Sequence, residues 1–184
     1  MKKDCNIEKD LKKLMGVAFI VLVGVFIGTL INAYLSLNNL HISEHSADFF
    51  KSPALIVISL SYIMIMFFIG LSALGQPFVL LLMLLYGALI GFISSMVFLQ
   101  YGFSGFKICA LYLTPYLIIH SIGMILLATN SINMSCLISE LLTCDGVISN
   151  KSQSFKIYFS KTLLFSIIVL ISFAVKAIIE YLIN

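Results

Sequence analysis

No charged residue stands between Lys51 and Lys107, and none of the 11 basic residues is an arginine. Charged residues make up 10% of the 184, hydrophobic residues 61%, and mean hydropathy is +1.11. A soluble domain needs far more polar surface than that, so the composition excludes one and requires an integral membrane protein. The 4 cysteines, Cys5, Cys109, Cys136 and Cys144, are too scattered for a disulfide framework. Cys136 and Cys144 have no nearby histidine to complete a zinc site. The net charge of +3 is spread over helix flanks and not over a basic face, which excludes nucleic acid as a partner.

What is present is a series of long apolar runs. A hydrocarbon core about 30 Å thick takes roughly 20 apolar residues per helix. The uncharged stretch from Ser52 to Phe106 is therefore two spans, with Gly75-Gln76-Pro77 as the hairpin between them. Proline lacks an N–H but fits the first turn of a helix, so Pro77 starts one helix where Gly75 ends another. The same reasoning predicts helices at about 14–36, 55–74, 77–99, 108–129 and 162–183, forming a single all-α membrane bundle. Between the last two, about 130–161 reads as a polar loop in which "SCLISELLTC" has the spacing of an amphipathic interfacial helix.

Lysine placement orients the bundle. Lys2, Lys3, Lys9, Lys12 and Lys13 precede the first span, and Lys151, Lys156 and Lys161 precede the last. Five spans put both groups on one side, which makes the N-terminus and the Gly75-Gln76-Pro77 turn cytoplasmic. The first apolar run is longer than the 7–15 residues of a signal peptide and no small-residue cleavage site follows it, so it reads as a retained span.

Chemistry-bearing residues are few. "HISEH", His41 to His45, matches the H-x-x-E-H pattern, in which two histidines one helical turn apart bind metal and the glutamate activates water. Here it stands in a loop of about 18 residues, with Asp48 as the one acidic residue following it there, and the expectation is a solvated loop without metal. His120 lies inside the fourth span, where a neutral imidazole facing Tyr112, Tyr116 or Ser121 accounts for it. Lys176 and Glu180, four apart near the outer end of the last span, can pair or snorkel. Ser94 and Ser95 are expected to bond the preceding turn of their own helix. No P-loop, dinucleotide fingerprint or serine triad stands in a suitable context, so neither a catalytic residue nor a cofactor is assigned.

Packing signals are stronger. "GVFIG" (Gly24, Gly28) and "GALIG" (Gly87, Gly91) are both G-x-x-x-G, the spacing that lets helix backbones approach closely in lipid. Packing within the chain is the first reading of these faces and homo-oligomerisation the second. Pro115 is expected to kink the fourth span.

The order G-x-P at Gly75-Gln76-Pro77, G-x-x-x-G-F at Gly87 to Phe92, a short G-x-x-G loop at Gly102 to Gly105 and a proline in the next span, Pro115, resembles stage II sporulation protein M of endospore-forming bacteria. The likeness extends over most of the chain and is specific over about 70–116. It implies a multi-pass protein of the mother-cell membrane that is needed for engulfment. There it holds two cell-wall hydrolases, stage II sporulation proteins D and P, at the septum while they degrade peptidoglycan. Broader relatives carry a His-Gly and an acidic residue after the proline where this chain has Tyr116 to His120, so no polar site is carried over to this helix. Two other functions fit the residues: a permease-like subunit working with a separate ATPase, and a membrane metallopeptidase using "HISEH".

Overall fold

The computed structural model describes residues 2–38, 54–108, 114–143 and 151–183, and all of these but the short turns are helical. Five helices follow one another: α1 (Lys2–Leu37), α2 (Ala54–Gly70), α3 (Gly75–Ile108), α4 (Thr114–Thr143) and α5 (Lys151–Ile183). The protein is a multi-pass helical membrane bundle. Four helices are long and apolar enough to cross a bilayer, over Leu11–Leu37, Gly75–Leu99, Thr114–Leu142 and Ser154–Ile179. α2 has 17 residues and spans about 25 Å, slightly less than a bilayer core.

α4 is the centre of the bundle. It touches each of the other four helices, and half of its apolar window is buried, against 17–28% in the other three long spans. Met66, Met83, Met124, Leu127, Val17, Val79 and Val169 are fully buried side chains of this core. The exposed faces are as apolar as the core, with Phe19, Phe26, Phe68, Leu81, Ile122, Leu163 and Ile171 pointing outward. This is the distribution expected where the solvent is lipid.

The two G-x-x-x-G faces pack on each other. A Cβ at Gly24 would overlap the Leu84 carbonyl oxygen and one at Gly28 that of Ala88; a Cβ at Gly87 or Gly91 would overlap the carbonyl of Val21 or Val25. Residue numbers rise together along both helices, so α1 and α3 run parallel. Further along the same seam, Asn32, 6% exposed, donates from Nδ2 to Ser95 Oγ at 2.8 Å. Ser95 in turn donates to the Phe92 carbonyl one turn back, at 2.9 Å, as expected of a hydroxyl inside a membrane helix.

Several boundaries differ from those read in the sequence. α4 runs through 130–143 and α5 begins at Lys151, so only 144–150 separate them where a loop of about 130–161 is expected. The segment "SCLIS" is the last part of a core helix and not a separate interfacial one. Its polarity is misleading because Ser131 and Ser135, fully buried, face other helices. Pro115 is the second residue of α4, where a missing N–H costs nothing, so it starts the helix and does not kink it. The kink is in α3 instead, at Gly102 with φ 55° and ψ −134°, a conformation open to glycine, and Gly105 lies in the helical stretch beyond it. At the α2–α3 hairpin Gly75 opens α3 and Pro77 sits in its first turn, while the reversal itself is made by residues 71–74.

Candidate functional site

Two polar clusters bind the helices together. The first surrounds His120. It is 4% exposed on α4, with ring centroids of Tyr116 at 5.3 Å, Phe173 at 5.5 Å and Tyr86 at 5.7 Å. Its Nδ1 lies 3.1 Å from Ser172 Oγ on α5. The hydroxyl of Ser172 donates to the Val169 carbonyl at 2.6 Å. That uses its one proton, so Ser172 Oγ accepts from His120, and the hydrogen bonds assign the proton of the imidazole to Nδ1. Tyr86 OH pairs with Ser121 Oγ at 3.2 Å, and the Tyr62 ring meets Tyr86 edge-on at 6.3 Å. α2, α3, α4 and α5 thus each contribute a side chain to one aromatic cluster with a single imidazole inside it. Of the neighbours read from the sequence, Tyr116 packs on the ring, Ser121 bonds Tyr86, and Tyr112 lies outside the described residues.

The second cluster lies where the N-terminal parts of α1 and α5 meet the C-terminal half of α4 and the α2–α3 turn. Tyr158, 3% exposed, donates from its phenol to the Phe67 carbonyl at 3.0 Å, satisfying a carbonyl in the last turn of α2. Ser131 Oγ is 3.5 Å from the same phenol, and the Phe67 ring stacks on Tyr158 at 5.5 Å and 12°. Gly70 leaves room for this contact, since a Cβ there would collide with the phenol oxygen. Asn130 donates to the Tyr158 carbonyl at 3.3 Å and to Thr162 Oγ1 at 3.1 Å. Ser135 Oγ accepts the Gln76 amide at 3.1 Å and donates to the Ala73 carbonyl at 3.5 Å. A serine of α4 therefore serves as the N-cap of α3, a role that a residue adjacent in sequence usually fills. Cys136 Sγ lies 3.5 Å from Gln76 Oε1, and Lys13 Nζ donates to Asn133 Oδ1 at 2.7 Å.

No buried polar side-chain atom among the described residues is without a hydrogen-bond partner. In a membrane, where no bulk water can take over, that accounting is strict. The arrangement ties five helices together and holds His120 between three rings and a serine. Sequence reasoning singled out His120 but missed Tyr158, Asn130 and Ser135. The signal was available: small polar residues at 129, 130, 131 and 135 inside a hydrophobic helix mark a face turned toward protein.

Lys176, part-buried, and Glu180 stand one turn apart near the end of α5, Lys176 one turn beyond Ser172 and Phe173 of the first cluster, and the Glu180 side chain lies outside the described residues. The "HISEH" motif, Asp48, Cys109 and Cys144 also lie outside them. Comparison with models of known protein families, with curated proteins and with solved structures finds no significant match to this chain.

Proposed function

We propose that the protein is a non-enzymatic scaffold of the stage II sporulation protein M type, seated in the mother-cell membrane during engulfment and positioning two cell-wall hydrolases, stage II sporulation proteins D and P, at the septum. The motif order Gly75-Gln76-Pro77, Gly87 to Phe92, Gly102 to Gly105 and Pro115 points to this family. The observation that carries the scaffold reading is the commitment of the polar side chains. His120 bonds Ser172, Asn32 bonds Ser95, and Asn130, Tyr158 and Ser135 each bond across a helix interface, so the chemistry these groups offer is used in holding the bundle. A rigid bundle whose outward faces are apolar is suited to engaging the membrane anchors of partners.

The experiment is localisation in sporulating cells. Deleting the protein is expected to disperse fluorescently tagged hydrolases from the septum, and His41→Ala combined with His45→Ala is expected to leave both engulfment and localisation intact. Failed engulfment in the double variant, with normal protein level and normal hydrolase localisation, overturns the scaffold and favours a metallopeptidase.

A further inference from the structure

An open groove of about 330 Å³ lies between α1, α4 and α5 at the lysine-rich end of the bundle. Its volume is at the lower end of the range, about 300–1,000 Å³, of clefts that hold small ligands. One part of its wall is apolar, formed by Leu11, Leu14, Leu126 and Phe165; the other part is formed by Asn130, Asn133 and Lys161. Asn133 also holds the Lys13 ammonium at 2.7 Å. No acidic side chain is among its described lining residues.

On α4 and α5 the two parts are ordered along the bundle axis. On α4 Leu126 lies seven residues, about 10 Å, toward the membrane from Asn133; on α5 Phe165 lies four residues, about 6 Å, toward the membrane from Lys161. On these two helices the groove is therefore polar toward the lysine-rich end and apolar toward the membrane interior, while on α1 Leu11 and Leu14 flank Lys13 and add an apolar wall beside the cationic end. A soluble anion has no use for the apolar half. A phospholipid with a negatively charged headgroup matches both halves, and lysine bias puts this end of the bundle in the cytoplasmic leaflet, where anionic lipids produce a negative surface potential.

We infer that this groove is a binding site for an anionic glycerophospholipid, its phosphate held by Lys161 and Lys13 and an acyl chain laid along Leu14, Leu126 and Phe165. The inference does not depend on the scaffold function. The test is native mass spectrometry of the full chain released from nanodiscs of equal phosphatidylglycerol and phosphatidylcholine. The wild type is expected to retain phosphatidylglycerol preferentially. Lys161→Gln and Lys13→Gln are each expected to reduce that preference about fivefold, while Lys161→Arg keeps it. Lys156→Gln, an exposed lysine outside the groove, is the control and is expected to change it little. Equal retention of both lipids by the wild type overturns the inference. So does an equal loss in Lys156→Gln, which would mean diffuse surface attraction, or displacement of the lipid by millimolar inorganic phosphate, which would mean a free-anion site.

Discussion

His120 illustrates what a polar residue does when it is placed within the apolar part of a membrane helix. The ring fills the space between Tyr86, Tyr116 and Phe173, and its one assigned N–H reaches Ser172. Packing and hydrogen bonding can be separated by substitution. Interhelical hydrogen bonds in membranes average about 0.6 kcal/mol and reach about 1.7. Removing a buried ring costs several times more, about 3–5 kcal/mol for an aromatic-to-alanine change in a protein core. Ser172→Ala is therefore expected to lower stability in detergent by about 1 kcal/mol, and His120→Ala by about 3 kcal/mol. His120→Phe, which keeps a ring among rings, should fall nearer the serine variant. Equal stability of His120→Ala and wild type, with function lost, would instead assign the imidazole a role in transport or catalysis.

Ser135 presents the same logic at the hairpin. It satisfies one amide of α3 and one carbonyl of the turn, groups that belong to residues 59 to 62 positions away. Ser135→Ala removes the hydroxyl and both bonds without adding bulk at this buried position. The expected result is a loss of roughly 1–3 kcal/mol, the cost of buried backbone groups left unpaired, with the α2–α3 turn becoming accessible to protease. Protease resistance equal to wild type would show that water, and not Ser135, satisfies the turn.

At the scale of elements, hydropathy made the spans readable, because about 20 apolar residues have few other uses than crossing a bilayer. The G-x-x-x-G faces were readable for a similar reason: glycine at that spacing in an apolar helix has no side chain to offer and serves close approach. That α1 and α3 are each other's partners was not readable, since nothing local to "GVFIG" names "GALIG". The ends of α4 and α5 were misread for the opposite reason. Asn130, Ser131 and Ser135 lower the local hydropathy and suggest an exit from the membrane, yet all three are buried against other helices. Lys151, Lys156 and Lys161 did the same for α5, whose helix carries Tyr158 and Thr162 inward beside them. Polarity in a membrane sequence reports contact with something other than lipid, and a helix neighbour meets that condition as well as water does.

The α1–α3 seam yields its own prediction. At Gly24, Gly28, Gly87 and Gly91 an added Cβ meets a backbone carbonyl of the partner helix, which cannot rotate away as a side chain can. Gly28→Leu and Gly91→Leu are expected to abolish folded accumulation, and even Gly28→Ala should reduce it. Gly16, also on α1, has nothing within 4 Å, so Gly16→Leu is the matched control and should accumulate like wild type. Equal accumulation of Gly28→Leu and Gly16→Leu would separate the two helices and turn both glycine faces toward lipid or a second copy.

At the scale of the whole molecule, the bonds of the second cluster bring the N-terminal part of α1, the α2–α3 turn, the end of α4 and the start of α5 to one end. That end carries eight of the 11 lysines, in 2–13 and 151–161. A bundle with its positive charge collected at one end has one favoured orientation, with that end in the cytoplasm. The parallel course of α1 and α3 adds an internal check, since both must cross in the same direction. Asn38 stands exposed at the far end of α1, and Gln76 stands exposed at the near end of α3, so the two positions sample opposite faces of the membrane. Gln76 reaches Ser135 through its backbone amide, so a cysteine in its place keeps that bond. In a chain whose own Cys5, Cys109, Cys136 and Cys144 are replaced by serine, Asn38→Cys is expected to react with an impermeant thiol reagent applied to intact cells. Gln76→Cys should react only after the membrane is opened. Labelling of position 76 from outside, with position 38 protected, would invert the bundle and place the lysine-rich end, and the groove beside it, on the outer face.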